Sequence, residues 1–358
     1  MLLKYFSNAG CMFLTLPRAL YTVGKPFAWQ MAGYYAVLGV SVYLINYMKK
    51  EREKETEKQK KDLLIRRQKH LFYMGSFCCL GLLFLRLPKQ AEVDILDVGQ
   101  GDGIYIRTSE GQDVLIDGGS TDVSKVGVYR ILPFLKSKGV CSVDYWFVSH
   151  LDKDHISGVE ELVESGFSIG KVVFAKGVLE DDAYKKLLNK LAQRKIMTVN
   201  LGKGEVLQGK NSRFLCLAPG TGDTVDDRNA RSMVLFYEDS GFSGFFSGDI
   251  SQKEERKLAE EGNFAHTIFY KAAHHGSEYS NSTELLSRLA PVVSVVSCAD
   301  KNDYGHPGKD AVGRMEKASQ SIYYTMKGGR IQIGWRRGKV WVQEFCRDRT
   351  KNESLFKD

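Results

Sequence analysis

The chain has 358 residues, of which 43% are hydrophobic, and a net charge of +8. This length allows one large domain plus an additional segment, and the sequence contains no low-complexity stretch or short-period repeat. The seven cysteines include no Cys-x-x-Cys pair. Their wide spacing shows no disulfide framework, so we expect buried thiols at the four that follow residue 90, namely Cys141, Cys216, Cys298 and Cys346.

The N-terminal part contains two apolar runs. Residues 27–48, FAWQMAGYYAVLGVSVYLINYM, are long enough to cross a bilayer, and residues 71–87 form a shorter run with charged residues at both ends. We predict that both are transmembrane helices. Two buried helices of a soluble protein are the alternative, and a cleaved signal peptide fits less well because neither run is at the N-terminus.

Residues 49–69, between the two runs, have ten Lys or Arg against five acidic residues. The positive-inside rule predicts that this loop is cytoplasmic, so that the second helix runs outward. A solvated helical hairpin arm is a compatible interpretation. We therefore predict a membrane segment at 1–90 and a domain at 91–358 that lies on the extracellular side of the cell membrane.

The positive charge belongs to the membrane segment, because residues 91–358 have 36 basic and 38 acidic residues. The large domain therefore has no general attraction for a polyanion, and nucleic-acid binding there needs a local patch. The candidates are Arg330, Arg336, Arg337 and Lys339, for which a charged strand edge is the alternative interpretation.

From residue 91 the pattern indicates an α/β domain. Strands are predicted at about 93–97, 103–108 and 113–117, and strands then alternate with helices as far as a last hairpin at 330–345. Two strand-rich halves, each with helices, predict a sandwich of two sheets with helices on the outside.

Ligand-type residues follow several of the predicted strands. In HLDKDH the loop after a strand can bring imidazoles and carboxylates together, as a pair of divalent cations requires. Asp249 ends the strand FFSGDI, where one carboxylate could bridge two metals. Five of the seven histidines fall in three clusters, which packing alone hardly explains: His150 with His155, His274 with His275, and His306.

Two bridged cations activate water and stabilise charge on the attacking and leaving oxygens, a mechanism suited to phosphodiester hydrolysis. Carboxylates are abundant at this site and no cysteine accompanies them. Zn²⁺ and Mn²⁺ both fit such a site, and the oxygen-rich set favours Mn²⁺ more than an all-histidine set would.

Six motifs, in order, resemble the metallo-β-lactamase-type domain at the C-terminal end of the ComEC competence proteins: DVGQGDG, LIDGG, SHLDKDHISG, SGDI, HHGS and YGHP. The likeness covers about residues 90–345, and the segment around 16–38 is similar to the last stretch of that family's membrane channel. The resemblance implies a four-layer αββα hydrolase with two metal ions that cleaves DNA, linked to DNA uptake.

The resemblance also implies roles for individual residues. His150 and Asp152 would bind one metal together with Asp249. Asp154, His155 and His275 would bind the other, again with Asp249, and His274 would either orient its neighbour or bind directly.

Asp154, His306 and Asp102 are the predicted catalytic residues. His306 would contact the scissile phosphate or protonate the leaving oxygen, while Asp102 would support the site from the GQGDG loop.

The sequence departs from the wider fold superfamily at two places. Asp152 replaces the second histidine of HxHxDH, and no histidine lies between His155 and Asp249. Asp226, Asp227 or Asn229 could complete the first metal site, or that cation could be weakly held. Two helices do not form a channel. The chain could be a truncated channel protein, a split protein with a separate channel subunit as its partner, or a free-standing hydrolase tethered to the membrane. The alternatives to a nuclease are a hydrolase of choline-phosphate or teichoic-acid esters, and a non-catalytic part of an uptake complex.

Overall fold

A computed structural model describes residues 22–85, 89–220, 227–262, 264, 266–346 and 353–354. The chain divides into two compact units. The first, a helical unit, consists of Met1–Pro88 with Lys136–Val140, and the second, an α/β unit, consists of Lys89–Leu135 and Cys141–Asp358. The domain boundary that the sequence predicts at residue 90 stays a prediction.

The helical unit is an antiparallel hairpin of α1 (Ala28–Lys54) and α2 (Lys58–Phe84). Near the open end, the buried Gln30 donates from Nε2 to the carbonyls of Leu82 and Leu85, at 2.7 and 2.8 Å. These carbonyls lie at the C-terminal end of α2, where a helix has no intrahelical partners for them. The side chain of Gln30 therefore joins the start of α1 to the end of α2.

The structure changes one prediction for this unit and leaves another open. Most of the predicted loop 49–69 is helical, since it continues α1 to Lys54 and begins α2 at Lys58. Within the described residues, one helix, α1, is long and apolar enough to cross a membrane. Helix α2, which contains most of the second predicted span, begins with charged residues, so that span stays a prediction. Residues 86–87, at the end of that span, lie outside the described residues.

The α/β unit begins with short strands and continues with alternating strands and helices. A π-helical turn, Gly127–Ile131, leads into the first of its helices. The helices are α3 (Leu132–Ser137), α4 (Lys153–Ser165), α5 (Asp182–Gln193), α6 (Gln252–Glu261), α7 (Thr283–Leu289), α8 (Lys309–Ala318) and α9 (Thr325–Gly328). The strands are β1 (Glu92–Ile95), β2 (Ile104–Arg107), β3 (Asp113–Ile116), β4 (Ser142–Phe147), β5 (Ser168–Ala175), β6 (Met197–Leu201), β7 (Val206–Gln208), β8 (Ser212–Ala218), β9 (Val234–Asp239), β10 (Phe242–Phe246), β11 (Phe269–Lys271), β12 (Val293–Val296), β13 (Ser321–Tyr324), β14 (Ile331–Arg336), β15 (Lys339–Glu344) and β16 (Glu353–Ser354).

The strands form two mixed sheets. One has nine strands in the order β16-β15-β14-β1-β2-β3-β4-β5-β6, and the other has seven in the order β13-β12-β11-β10-β9-β8-β7. Strands β3 to β6 run parallel to one another, and so do β10 to β13. Loops that follow parallel strands emerge at the same edge of a sheet. The chain segments after β3, β4, β10, β11 and β12 are therefore brought to common edges.

An apolar core lies between the two sheets. Phe147 of β4 and Phe214 of β8 approach across it with ring centroids 5.0 Å apart, and Trp335 of β14 stacks on Phe242 of β10 at 4.1 Å. Inward-facing side chains of both sheets supply this layer, as expected for face-to-face sheets.

Helices cover both outer faces. A second apolar cluster joins the seven-stranded sheet to α6, α7 and α8 through residues such as Leu258, Leu286 and Met315. On the other face, Phe174 of β5 contacts Tyr184 of α5 at 5.2 Å. The fold is the predicted four-layer αββα sandwich of the metallo-β-lactamase type.

The predicted elements are present with small shifts, but several others carry too weak a pattern to be predicted. These are β6, β7, β13, β16, α8 and α9. The cysteine prediction is half wrong. Cys216 and Cys298 are buried, whereas Cys141 and Cys346 are exposed because they lie at a turn and beyond the last long strand.

Glycines allow the loop after β3 to approach the first turn of α4. A Cβ atom on Gly119 would lie 2.4 Å from the backbone carbon of Asp154 and from the nitrogen of His155. The backbone nitrogen of Gly158 donates to the carbonyl of Gly118 at 2.7 Å. This contact fixes the start of α4 against the sheet edge.

Gly119→Ala should therefore destabilise the protein by about 1–3 kcal/mol, because the added methyl overlaps backbone that cannot move away alone. Gly313→Ala is the control, since the same change within α8 meets open space and should stabilise by about 0.5–1 kcal/mol. Thermal unfolding of the full-length variants in detergent measures both. Equal stability of Gly119→Ala and the wild type would contradict the close contact.

Candidate metal centre

Four side chains from three chain segments converge at one sheet edge: Asp154, His155, Asp249 and His275. One ligand atom from each lies within 4.8 Å of the others. The first two residues start α4 after β4, Asp249 follows β10, and His275 follows β11. The topology of parallel strands thus assembles a set of two carboxylates and two imidazoles.

His155 is fixed by Asp117, the residue after β3. Its Nδ1 lies 2.9 Å from Oδ2 of Asp117. The same Oδ2 accepts from the hydroxyl of Ser149, and Oδ1 of Asp117 accepts from the backbone nitrogen of Ser149. Nδ1–H of the imidazole therefore donates to Asp117, and Nε2 faces Asp249, with Oδ2 at 3.2 Å. A carboxylate behind a ligand histidine is the usual way to set the tautomer for metal binding.

His275 is oriented in the same way from another direction. Its Nδ1 is 3.1 Å from the carbonyl oxygen of Ser297, while Nε2 lies 3.3 Å from Asp154 and 3.5 Å from Asp249. His275 and its neighbour His274 have left-handed backbones, with φ of 53° and 48°. Such a conformation is unfavourable for residues other than glycine, and it persists where the surrounding structure requires it.

His150 also presents Nε2, although its surroundings are less complete. Nδ1 lies 3.0 Å from the hydroxyl of Ser149 and 3.2 Å from that of Ser232. Nε2 is 3.7 Å from Oδ2 of Asp152. The other oxygen of Asp152 accepts from Arg228 at 2.7 Å, and Arg228 also pairs with Asp181. Asp152 is thus shared between His150 and a guanidinium.

Several buried atoms at this edge make no hydrogen bond with any described residue. They are Nε2 of His150, His155 and His275, and Oδ1 of Asp249. A buried polar atom without a partner is costly, and a cation that accepts these lone pairs removes the cost. The residues therefore fit divalent metal ions, and neither Zn²⁺ nor Mn²⁺ is excluded by this donor set.

The electrostatics of the cluster lead to the same conclusion. Burial lowers the pKa of His155, but Asp249 and Asp117 raise it well above its ordinary value. Burial raises the pKa of Asp249, yet His155 and His275 hold it well below the usual range. A proton on the imidazole and a metal ion thus compete for the same negative charge, so metal binding should strengthen as the pH rises.

Asp102 lies behind His275 and not among the four converging atoms. Its Oδ1 is 2.8 Å from Nζ of the buried Lys271 and 3.4 Å from Nδ1 of His275. Burial raises the pKa of Asp102, but Lys271 and His275 lower it below its ordinary value. As placed, Asp102 supports the ligands electrostatically.

His306 and His274 lie at the open side of the cluster. The ring of His306 is 5.3 Å from that of His274 and 6.1 Å from that of His275. Burial, together with those two histidines, lowers the pKa of His306 to about 4, so its imidazole is neutral at pH 7. Nε2 of His274 is 3.7 Å from Asp249.

Sequence reasoning missed several residues that hold this site together, namely Asp117, Ser149, Arg228, Lys271 and Ser297. Asp117 stands in the motif LIDGG directly after a strand, the same signal that identified Asp249. Of the proposed additional ligands, Asp227 accepts from the backbone of Asn229, and Asp226 lies outside the described residues.

Comparison with known proteins agrees with this geometry. A family model described as the metallo-beta-lactamase superfamily matches residues 96–195. ComE operon protein 3 of Bacillus subtilis is 28% identical over 74% of this chain and 36% of its own length. Recombination protein 2 of Haemophilus influenzae is 26% identical over 75% of this chain and 32% of its own length. These matches confirm the predicted resemblance to the ComEC family.

The chain spans about a third of the length of these curated relatives. Among solved structures, the metallo-beta-lactamase fold protein YhfI from Bacillus subtilis is similar, with 12% identity and a TM-score of 0.42, over 65% of this chain and 95% of that one. The fold is identified by the sheet order and by the family model. The domain accordingly has the metallo-β-lactamase fold, and the family match over residues 96–195 supports a metal-dependent hydrolase.

Asp117→Asn should weaken Zn²⁺ or Mn²⁺ binding by about 10–100-fold, because one amide oxygen cannot serve both His155 and the backbone nitrogen of Ser149, which now bind different oxygens of Asp117. Equilibrium dialysis of the full-length protein, followed by elemental analysis, measures the affinity. Asp310→Asn is the control, since this carboxylate is exposed on α8 and should leave binding unchanged. Wild-type affinity in Asp117→Asn would show that this carboxylate does not orient the ligand.

Proposed function

We propose that this ComEC-like chain is a membrane-anchored, metal-dependent phosphodiesterase that cleaves DNA outside the membrane during DNA uptake. The observation that supports this proposal most strongly is the buried cluster of Asp154, His155, Asp249 and His275 with its inward-facing ligand atoms. Two carboxylates in the set favour hard or borderline cations of the kind that phosphodiesterases use.

In this proposal, the cluster binds one metal ion, and His150 with Asp152 and Asp249 binds a second. When bound, such cations lower the pKa of water and neutralise charge that develops on phosphate oxygens. Asp249 is suited to face both ions because one of its oxygens meets His155 and the other is buried without a hydrogen-bond partner among the described residues. Arg228 must then share Asp152 with the second ion.

The remaining residues would position the substrate and the ligands. Nδ1 of His306 lies 3.3 Å from Nε2 of Gln100, which can donate to it. The proton of the neutral imidazole then resides on Nε2, from which His306 can donate a hydrogen bond to a phosphate oxygen. Asp117 and Asp102 would hold His155 and His275 in place without contacting substrate.

The helical unit suggests how the domain is anchored. Its helix α1 satisfies the length and apolarity of a membrane span, and the basic residues 49–69 lie at the closed end of the hairpin. Under the positive-inside rule that end would be cytoplasmic. The hydrolase domain would then act on the extracellular side, and a separate subunit would supply the channel.

A small phosphoester, of the choline-phosphate or teichoic-acid type, is the second candidate substrate. The slight acidic excess of residues 91–358 favours it, because a polyanion gains nothing from the overall charge of the domain. A non-catalytic role in an uptake complex is the third possibility. Activity measurements on both substrate classes distinguish the three.

With Mn²⁺ or Zn²⁺, the full-length protein in detergent should cleave single-stranded or duplex DNA, and Asp249→Asn should reduce the rate at least about 100-fold because a ligand is lost. Asp310→Asn removes an exposed carboxylate on α8 and should retain activity. Gel analysis of labelled oligonucleotides gives the rates. Cleavage that survives Asp249→Asn, or hydrolysis of choline-phosphate esters alone, would reject the proposal.

A further inference from the structure

An exposed aromatic ring lies beside the histidines of the metal centre. The ring of Tyr304 stacks on that of His306, with centroids 5.8 Å apart and planes inclined by 25°. The ring of His306 lies in turn 5.3 Å from that of His274, whose Nε2 is 3.7 Å from Asp249. Three rings thus lead outward from a candidate metal ligand to the protein surface, where Tyr304 is 59% exposed.

The position of Tyr304, more than its exposure, distinguishes it. Exposed aromatic side chains are common on protein surfaces, and Tyr129 and Tyr279 are 65% and 79% exposed. Among the described residues, neither of these two rings contacts a histidine of the metal centre, whereas Tyr304 does. Tyr304 is absent from the apolar core between the sheets. Its ring therefore offers surface beside the site and takes no part in core packing.

The loop that carries Tyr304 is held in place by an asparagine. Oδ1 of Asn302 accepts from the backbone nitrogens of Tyr304 and His306, at 3.2 and 3.0 Å. Its Nδ2 donates to the carbonyl of His306 at 2.7 Å. The backbone nitrogen of Gly308 donates to the carbonyl of Gly276 at 2.9 Å, which joins this loop to the HHGS segment. A ring on a loop fixed in this way loses little freedom when a ligand stacks on it.

The charge of the domain gives a nucleic-acid strand little affinity for this edge. Residues 91–358 have 36 basic and 38 acidic residues. Of the basic residues proposed from sequence, Arg330 pairs with the buried Asp94 at 2.8 Å, and its guanidinium stacks 3.5 Å above the ring of Phe345. Arg330 is thus engaged within the protein.

The other basic residues proposed from sequence, Arg336, Arg337 and Lys339, lie at the turn between β14 and β15. Gly334 of β14 lies opposite Glu92, the first residue of β1, so this turn extends beyond the start of β1. The GQGDG loop follows the other end of that strand. These three residues are therefore at the wrong end of the sheet to contact a substrate bound at the metal centre.

We propose that Tyr304 is a stacking platform for an unpaired nucleobase next to the phosphate that is cleaved, so that the site acts on single-stranded DNA. The inference rests on the proposed nuclease function and deepens it by naming the form of the substrate. His306 would donate to a phosphate oxygen, and one sugar joins each phosphate to a base, which brings a flanking base to the neighbouring ring of Tyr304.

This contact separates the candidate substrates by their chemistry. Every base has a flat face that can stack on an aromatic ring, so the platform is independent of sequence. A base inside a duplex is covered on both faces by its neighbours and cannot stack on Tyr304. A choline-phosphate or teichoic-acid ester has no base, so the platform favours a nucleic acid over these esters.

Binding measurements test the platform without requiring catalysis. The full-length protein in detergent and EDTA is titrated against labelled oligothymidylate, and against an oligonucleotide of the same length whose sugars carry no bases. Tyr304→Ala should weaken the binding of oligothymidylate about 5–100-fold, the range for one base stacked on an aromatic side chain. Binding of the base-free oligonucleotide should not change. Fluorescence anisotropy gives both affinities.

Two further variants are the controls. Tyr304→Phe keeps the ring and should bind oligothymidylate like the wild type. Tyr129→Ala removes an equally exposed tyrosine from the π-helical turn before α3 and should also have no effect. Equal losses for the two oligonucleotides in Tyr304→Ala would show that the residue acts through its loop, and this would overturn the platform. Unchanged affinity for oligothymidylate in Tyr304→Ala would overturn it as well.

These results are distinct from those that test the proposed activity. A base-dependent loss of binding in Tyr304→Ala, in a protein that does not cleave DNA, would reject the nuclease and retain the platform. DNA cleavage by a protein in which Tyr304→Ala causes no base-dependent loss would retain the nuclease and reject the platform.

Discussion

The structure depends on a group of carboxylates at the sheet edge that faces imidazole nitrogens. The protons and hydrogen bonds of the surrounding residues do not fully compensate the negative charge of these carboxylates. Nε2 of His155 lies 3.2 Å from Asp249, and Nε2 of His275 lies 3.3 Å from Asp154 and 3.5 Å from Asp249. Buried charge is costly unless it is paired. Protons on the histidines can neutralise this negative charge in the absence of metal, and divalent cations neutralise it more completely. The surrounding residues, Asp117 and Asp102 included, are arranged to keep this group in place.

The fold supplies the arrangement through strand direction. Because β3 and β4 are parallel, as are β10 to β12, the segments that follow them meet at adjacent sheet edges. Close backbone contact at Gly119 then sets the first turn of α4, which carries Asp154 and His155. The buried ion pair of Lys271 with Asp102 links β11 to the GQGDG loop behind His275. His155 and His275 are therefore each held by a rigid element and by a second residue behind the imidazole.

The sequence predicted the parts of the site that have a local signal. Histidine and aspartate after a buried strand identified His150, His155, Asp249 and His275, and alternating apolar patterns identified most strands. It could not reveal Arg228 beside Asp152, or Lys271 beside Asp102, because these contacts join segments 76 and 169 residues apart. The second membrane span stays a prediction, since its last two residues lie outside the described ones. Its apolar run is short, and the helix that contains it begins with charged residues.

X-ray diffraction at the Zn²⁺ or Mn²⁺ absorption edge, on crystals of the full-length protein grown with the metal, tests the central claim most directly. The account predicts an anomalous peak about 2.0–2.2 Å from Nε2 of His155 and of His275 and from carboxylate oxygens of Asp154 and Asp249. A protein that binds no metal at this edge of the sheet, or an anomalous peak that lies out of reach of these four side chains, would contradict the account.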